Sequence, residues 1–151
     1  MSTILQLMNA DRNLSSFMKG MKMTDLEEAL SGMGPFTIIG PVNLAFGSLA
    51  PTSYEELLRT GNSSKIADIL SYHVLAEKKL NRDFYNGQKI KTIHGKELEV
   101  IVKDGEVRIQ GARILSKDRQ ASNGVVHTID TVINPVQEKL LPKEAAAVPQ
   151  P

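Results

Sequence analysis

The spacing of apolar residues changes halfway along the chain, and this change constrains the fold more than any other feature of the sequence. Before residue 76 the apolar residues recur every three to four positions, as on one face of a helix. After residue 85 they alternate with polar residues, as in strands that bury one face. A helical half followed by antiparallel hairpins predicts an α+β domain, and it argues against a doubly wound α/β sheet.

The helical half is predicted from its apolar stripes and its capping residues. Thr24 and Glu27 match a capping box for a helix that follows residue 24. A short strand is expected at 36–39, after which Pro41 suits the first turn of a further helix. Ser63 or Ser64 is expected to cap a later helix. The stripes share the i, i+3, i+4 spacing, and they are Leu14, Phe17, Met18, Met21, then Leu26, Ala29, Leu30, Met33, and later Ile66, Ile69, Leu70, His73, Val74.

The strand half is predicted from its turns. Asp104-Gly105 is typical of a two-residue hairpin loop and places Val102 opposite Val107. A three-residue loop at 94–96 would place Ile90 opposite Val100, with Gly95 or Lys96 left-handed, whereas a two-residue loop would place Ile90 opposite Glu99. We predict the three-residue loop. The longest strand is expected at 125–133, after a turn at 122–124.

The size and composition exclude several classes of protein. A chain of 151 residues suits one domain, which we place at 1–136, followed by a tail rich in proline and alanine at 137–151. The net charge of +1 gives no reason to expect nucleic-acid binding. No cysteine is present, so disulfides and thiolate chemistry are excluded. No apolar run is long enough to span a membrane, and residues 1–8 lack the pattern of a signal peptide.

The three histidines are the obvious candidates for a catalytic base or a metal ligand. His73, His94 and His127 do not have the spacing of a helix-borne zinc site, so no metal is expected. His73 lies on an apolar helix stripe, and His127 shares a strand face with apolar residues, so both are expected to be buried and hydrogen-bonded. Asp130 lies three positions from His127, on the opposite face of a strand, which excludes a Ser-His-Asp arrangement there.

Three segments, in order along the chain, resemble the fasciclin domain family. Residues 34–46 read GPFTIIGPVNLAF and are similar to the family's first box. The pair Tyr72-His73 follows at a helix end. Residues 123–135 read NGVVHTIDTVINP and are similar to the second box. The resemblance covers roughly residues 2–136, and it departs from the first box at Gly40, where alanine is usual, and at Val42, where threonine is usual.

The resemblance implies a β-wedge or sandwich of short antiparallel strands with a helical N-terminal half. It also implies an extracellular, cell-surface or periplasmic adhesion module, as in matrix proteins and secreted bacterial relatives. Family adhesion has been tied to the Tyr-His pair, here Tyr72 and His73, and to an Asp-Ile step, which here reads Asp118-Arg119. Because a cation replaces the apolar residue, integrin binding of the animal kind is not expected. Structural roles are implied for Pro41, Asn43, Phe46, Asn123, Gly124 and His127.

Two functional hypotheses remain from the sequence. The first is a monomeric, non-catalytic interaction module that requires no cofactor and binds a surface or matrix protein or a glycan. The second is a carrier of a lipid or pigment in a groove lined by the helix methionines together with Phe17, Phe36 or Phe46. We favour the first, because no candidate nucleophile, acid/base pair or metal cluster passes the geometric tests above.

Overall fold

The computed structural model describes residues 2–47 and 54–133 of the chain. The helices are α1 Ile4–Ala10, α2 Ser15–Lys22, α3 Leu26–Ala29, α4 Asn43–Gly47, α5 Tyr54–Thr60 and α6 Ser63–Ser71, with 3₁₀ turns at Arg12–Leu14 and Asn81–Asp83. The strands are β1 Phe36–Pro41, β2 Val74–Leu75, β3 Lys89–Lys91, β4 Glu97–Lys103, β5 Glu106–Ile109, β6 Ala112–Ala121 and β7 Gly124–Ile129. The α+β class is confirmed. The expected domain end at 136 and the tail 137–151 lie outside the described residues.

The seven strands form one sheet in the order β2-β1-β7-β6-β5-β4-β3. All neighbouring pairs are antiparallel except β1 and β7, which run parallel over six residue pairs. The expected wedge of antiparallel strands therefore has one exception, at the centre of the sheet, where two strands distant in sequence run parallel. Beyond β3, the Ile93 N–H donates to Val74 O in β2 (2.9 Å), so the sheet nearly closes on itself.

The central strands β1 and β7 are covered on both faces. Ile38 and Val126 pack into a cluster with the helices, whereas Ile39 and Ile129 face a second cluster enclosed by the curved sheet. All six residues of β7 are buried. Burial on both faces explains why these segments are nearly continuous apolar runs instead of alternating patterns.

The two predicted hairpin registers have different outcomes. In the β4–β5 hairpin, Val102 pairs with Val107, as predicted, and Asp104 and Gly105 both have positive φ, at 54° and 79°. In the β3–β4 hairpin, Ile90 pairs with Leu98, so both proposed registers are wrong. The loop has three residues but lies at 93–95, because Thr92 pairs with Lys96 through backbone and side-chain hydrogen bonds. Gly95 is left-handed, with φ 106°.

The longest strand is β6, with ten residues, and the expectation of a strand at 125–133 is wrong because β7 ends at Ile129. Sequence alternation in β6 is interrupted by two register shifts against β7, between Ile114 and Ser116 and between Ser116 and Arg119. Asp118 lies in the second of these bulges with φ 61°. Because of the bulges, apolar and polar residues do not alternate regularly along β6, so the sequence pattern does not indicate its full length.

Several predicted helix starts are displaced. Pro41 is the last residue of β1 and does not open a helix. Asn62, not Ser63 or Ser64, caps α6, because its side chain accepts a hydrogen bond from Lys65 N–H. Thr24 accepts from Leu26 N–H, so no capping box with Glu27 forms.

Helix α3 is a single turn, and Met33 lies beyond it with 92% of its surface exposed. Met33 is therefore not part of the core, contrary to the predicted apolar stripe.

Candidate functional site

His73 is a fully buried ring at the end of α6. Its Nε2 accepts a hydrogen bond from Ile133 N–H (2.8 Å), and its Nδ1 lies 2.7 Å from Ile69 O. Because Nε2 is the acceptor, the proton is on Nδ1 and the ring is neutral. Burial lowers the pKa of His73 to about 4, and the hydrogen bond to Ile69 O opposes this only in part. The ring joins α6 to the segment that follows β7.

Tyr72 is also fully buried and belongs to the cluster enclosed by the sheet. Its ring meets the edge of His94 with centroids 5.7 Å apart. Neither Tyr72 nor His73 presents its side chain at the surface, so the direct partner contact implied by the family resemblance does not fit this conformation. We assign the pair a packing role at the end of α6.

His127 is buried on β7 and connects two other segments. Its Nδ1 accepts a hydrogen bond from Asp118 N–H (3.2 Å), and its Nε2 donates to Lys79 O (2.7 Å). The Phe84 ring packs against its edge with centroids 5.7 Å apart. Burial lowers the pKa of His127, whereas the hydrogen bond to Lys79 O and the negative charge of Asp118 act in the opposite direction. The expectation that His73 and His127 are buried and hydrogen-bonded is confirmed.

Asp118 and Arg119 lie on the outside of the bulge that His127 holds from within. The Asp118 Oδ1 accepts from Asn81 N–H (2.7 Å), and Asp118 itself is exposed. The Arg119 guanidinium donates to Asp11 Oδ2 (2.6 Å), with the two side chains 33% and 17% exposed. We call Asp11, Asn81, Asp118 and Arg119 the bulge surface. It joins the first 3₁₀ turn, the second 3₁₀ turn and β6.

Sequence reasoning identified Asp118 and Arg119 but missed the residues that hold them. Asp11 precedes a 3₁₀ turn, and its side chain accepts a hydrogen bond from Asn13 N–H. An aspartate at such a cap position can be predicted from the sequence. Asn81 contributes a backbone N–H, and no sequence pattern indicates which carboxylate a main-chain donor will meet. The proximity of His127 to Asp118 depends on the bulge, which alternation does not predict.

The other motif residues hold the N-terminal helices against the sheet. Asn43 Oδ1 accepts from Ser16 N–H (2.8 Å), and its Nδ2 donates to Arg12 O and to Ser15 Oγ (2.9 Å each). Asn123 Oδ1 accepts from Ile4 N–H (2.9 Å), and its Nδ2 donates to Leu30 O and Gly32 O (3.0 and 2.9 Å). Each asparagine therefore fixes helical segments distant from it in sequence.

The remaining motif residues shape the centre of the sheet. Pro41 is buried, and Phe46 packs against the helix cluster. A side chain at Gly124 would overlap Phe36 O on the neighbouring strand. The parallel strands β1 and β7 therefore require a glycine at this point.

The described residues offer few alternatives to the bulge surface as a functional site. No group of three or more His, Asp or Glu residues in this part of the chain could hold a metal ion. No helix described here is long and apolar enough to cross a membrane. Of the methionines proposed to line a groove, Met8, Met18 and Met21 are buried in the core with Phe17, Met23 is partly buried against it, and Met33 is exposed. A cleft of about 460 Å³ opens between β5 and β6, lined by charged and apolar side chains.

The family model of the fasciclin domain matches residues 12–135. This chain belongs to the fasciclin domain family. The fasciclin domain described here is 39% identical over 133 residues to protein sll1483 of Synechocystis, a match that covers 88% of this chain and 73% of that protein. It is 32% identical to the transforming growth factor-beta-induced protein ig-h3 of Sus scrofa, covering 92% of this chain but only 20% of ig-h3.

The fold has a solved counterpart in the FAS1 domain pair of the insect cell adhesion molecule Fasciclin I. The TM-score is 0.79 at 18% sequence identity, and the match covers 91% of this chain and 52% of the insect chain. This fasciclin domain therefore corresponds to about half of that pair.

Proposed function

We propose that this fasciclin domain is a non-catalytic adhesion module, extracellular or at the cell surface, that binds a matrix or surface protein or a glycan through the bulge surface. The observation that supports this most is the Asp118-Arg119 step, in which Asp118 is exposed and Arg119 is partly exposed, and which is fixed by contacts with Asn81, His127 and Asp11. A surface that is ordered before binding loses little conformational entropy when it meets a partner.

The chemistry of the buried rings is consistent with this role. Both ring nitrogens of His73 and of His127 are occupied by backbone partners. Asp130, the acid closest to His127 in sequence, accepts from Arg113 N–H instead. These groups therefore stabilise the fold and leave binding to exposed side chains. The insect relative Fasciclin I, a cell adhesion molecule, gives a precedent for the class.

A direct test is the binding of the purified chain to an immobilised basement-membrane extract, which contains both proteins and glycans. We expect saturable binding, and we expect D118A/R119A to weaken it by at least about tenfold, since two central charged contacts would be lost. The matched control is K91A/E97A, which also removes one exposed cation and one exposed anion, from the cross-strand pair of β3 and β4.

Two results would contradict the proposal. One is the absence of saturable binding by the intact chain. The other is an equal loss of binding in D118A/R119A and K91A/E97A. Native mass spectrometry of the same preparation would detect a retained lipid or pigment, which would support the carrier hypothesis instead.

A further inference from the structure

The bulge at Asp118 depends on one imidazole that is not itself at the surface. Asp118 has a left-handed backbone, with φ 61°, a conformation that is uncommon for a non-glycine residue, although aspartate adopts it more often than most. Two hydrogen bonds hold it there. Its N–H donates to His127 Nδ1 (3.2 Å), and its Oδ1 accepts from Asn81 N–H (2.7 Å).

The first of these bonds exists only while His127 is neutral. Nδ1 accepts from Asp118 N–H, so the ring proton is on Nε2, which donates to Lys79 O. A proton added to Nδ1 would place two N–H donors against each other, and the Asp118 N–H would have to move away. The Asp118 carboxylate, whose charge already acts on the ring, is the acceptor that would take its place.

We propose that neutral His127 is the positioning residue of the bulge surface, and that its protonation releases the Asp118 N–H and rearranges Asp118 and Asn81. If the Asp118 carboxylate turns inward to accept from Nδ1–H, it leaves the Asn81 N–H without its partner. The loop at 79–81 then loses its contact at Asn81, whereas Lys79 O keeps the hydrogen bond from Nε2–H, which the charged ring still donates. Acidification would thereby rearrange the Asp118 and Asn81 side of the surface that we assign to binding, a consequence that rests on the proposed function.

The charged groups around the ring support a reversible exchange. In the described part of the chain, Asp118 on β6 faces the ring, and Lys79 beside it is paired with Glu77 (Nζ to Oε1, 3.7 Å). Two apolar residues also adjoin His127: Phe84 at the ring edge and Ile39, the paired residue on β1. Asp118 is thus the anion that can compensate a charged His127, and it belongs to the surface that changes.

The test is an NMR pH titration of the intact chain without any partner, which follows the backbone amides of Asp118 and Asn81 together with the His127 ring. We expect these signals to change with one common midpoint, below the ordinary range of a histidine, and the hydrogen-exchange protection of the Asp118 amide to fall by about tenfold across it. In D118N, which keeps the acceptor for Asn81 but loses the charge, the midpoint of the ring should move to lower pH.

Variants separate this inference from other effects of acid. H127Q retains a donor and an acceptor but does not titrate, so the common transition should disappear, whereas H94Q should leave it unchanged. If H127Q does not fold, the shift of the His127 midpoint in D118N still tests the inference. The inference is overturned if the Asp118 and Asn81 amides do not follow the His127 ring, or if D118N leaves the midpoint in place.

The titration also distinguishes the inference from the proposed function. Because no partner is present, amides that follow the ring support the positioning role even when the matrix extract does not bind. Conversely, binding could depend on Asp118 and Arg119 while the amide signals do not change with the titration of the His127 ring. That result would support the proposed function and refute the positioning role.

Discussion

Asn123 illustrates how one polar side chain sets the position of the N-terminal helices. It is only 7% exposed, and it bonds the first residue of α1 as well as two carbonyls that follow α3. In sequence, Ile4 lies 119 positions from Asn123, Leu30 lies 93 positions from it, and Gly32 lies 91 positions from it. The residue therefore connects the turn between β6 and β7 to the start of α1 and to the segment after α3.

Truncation of Asn123 to alanine is expected to destabilise the domain by about 2–4 kcal/mol, because the Ile4 N–H and the Leu30 O would remain buried without a partner. Urea unfolding followed by circular dichroism measures the free energy of unfolding. The control N13A removes an exposed asparagine and is expected to change stability by at most about 0.5 kcal/mol. An equal effect of the two substitutions would show that the Asn123 contacts do not stabilise the fold.

At the scale of the elements, the parallel pair β1–β7 is the centre of the fold. Each family box contributes one of these two strands. The described helices pack on one face of the pair, and the curved sheet covers the other face. Their close approach at Gly124 leaves no space for a side chain, because Phe36 O occupies the position of a Cβ atom.

Substitution of Gly124 by alanine is expected to cost about 3 kcal/mol or more, since the two strands would have to separate. Gly32→Ala is the matched control: its new Cβ would lie 3.5 Å from Ala29 O, an ordinary contact, and the backbone is not left-handed. We expect G32A to change the free energy of unfolding by at most about 1 kcal/mol. Chemical denaturation of both variants provides the comparison, and a G124A domain as stable as the native chain would refute the packing argument.

The sequence predicts those elements whose side chains carry local information. Asp104-Gly105 specifies its own turn, so the β4–β5 register is correct. The β3–β4 register differs from the prediction by two positions, and such a shift keeps every side chain on its face of the sheet. The alternation of apolar and polar residues therefore predicts which side chains face the core, but it does not predict where the loop lies. The loop position is set by the hydrogen bonds between Thr92 and Lys96.

The parts that sequence reasoning missed depend on contacts between distant residues. The parallel pairing of β1 with β7 and the bulges of β6 have no local signature. The same holds for the bulge surface: Asp118 and Arg119 were identified through family resemblance, whereas Asp11 and Asn81 come to them only in the folded chain. The burial of His73 and His127 was predictable because each lies in an apolar pattern.

At the scale of the whole molecule, the two buried imidazoles make stability depend on pH. His73 has a folded-state pKa of about 4, below the ordinary value of 6.5. The unfolded chain therefore binds a proton at a higher pH than the folded chain does. The stabilisation is fully present above about pH 6.5 and is lost as the pH falls towards about 4. His127 acts in the same direction, because its pKa is also lowered.

For His73 alone, the free energy of unfolding should fall by about 2–3 kcal/mol between about pH 7 and about pH 4.5. Urea unfolding at the two pH values measures this difference. In H73Q the difference should shrink by that amount, since glutamine can donate and accept but does not titrate. H94Q, which replaces the partly exposed third histidine, should retain the native difference. A pH dependence in H73Q equal to that of the native chain would be inconsistent with a buried neutral His73.

The two buried rings carry their protons on opposite nitrogens, and this difference can be measured. His73 joins α6 to the segment after β7 with its proton on Nδ1, whereas His127 joins β7 to β6 and to the loop at 79–81 with its proton on Nε2. Both assignments follow from which ring nitrogen receives a backbone N–H, and both require a neutral ring.

The most direct test of the claim that both rings are neutral structural connectors is a long-range proton–nitrogen correlation spectrum of the histidine side chains near neutral pH. We expect two fixed and opposite tautomers, Nδ1–H for His73 and Nε2–H for His127. A charged ring, or a ring that exchanges between tautomers at either position, would contradict the structural role, and with it the proposal that binding belongs to the bulge surface outside.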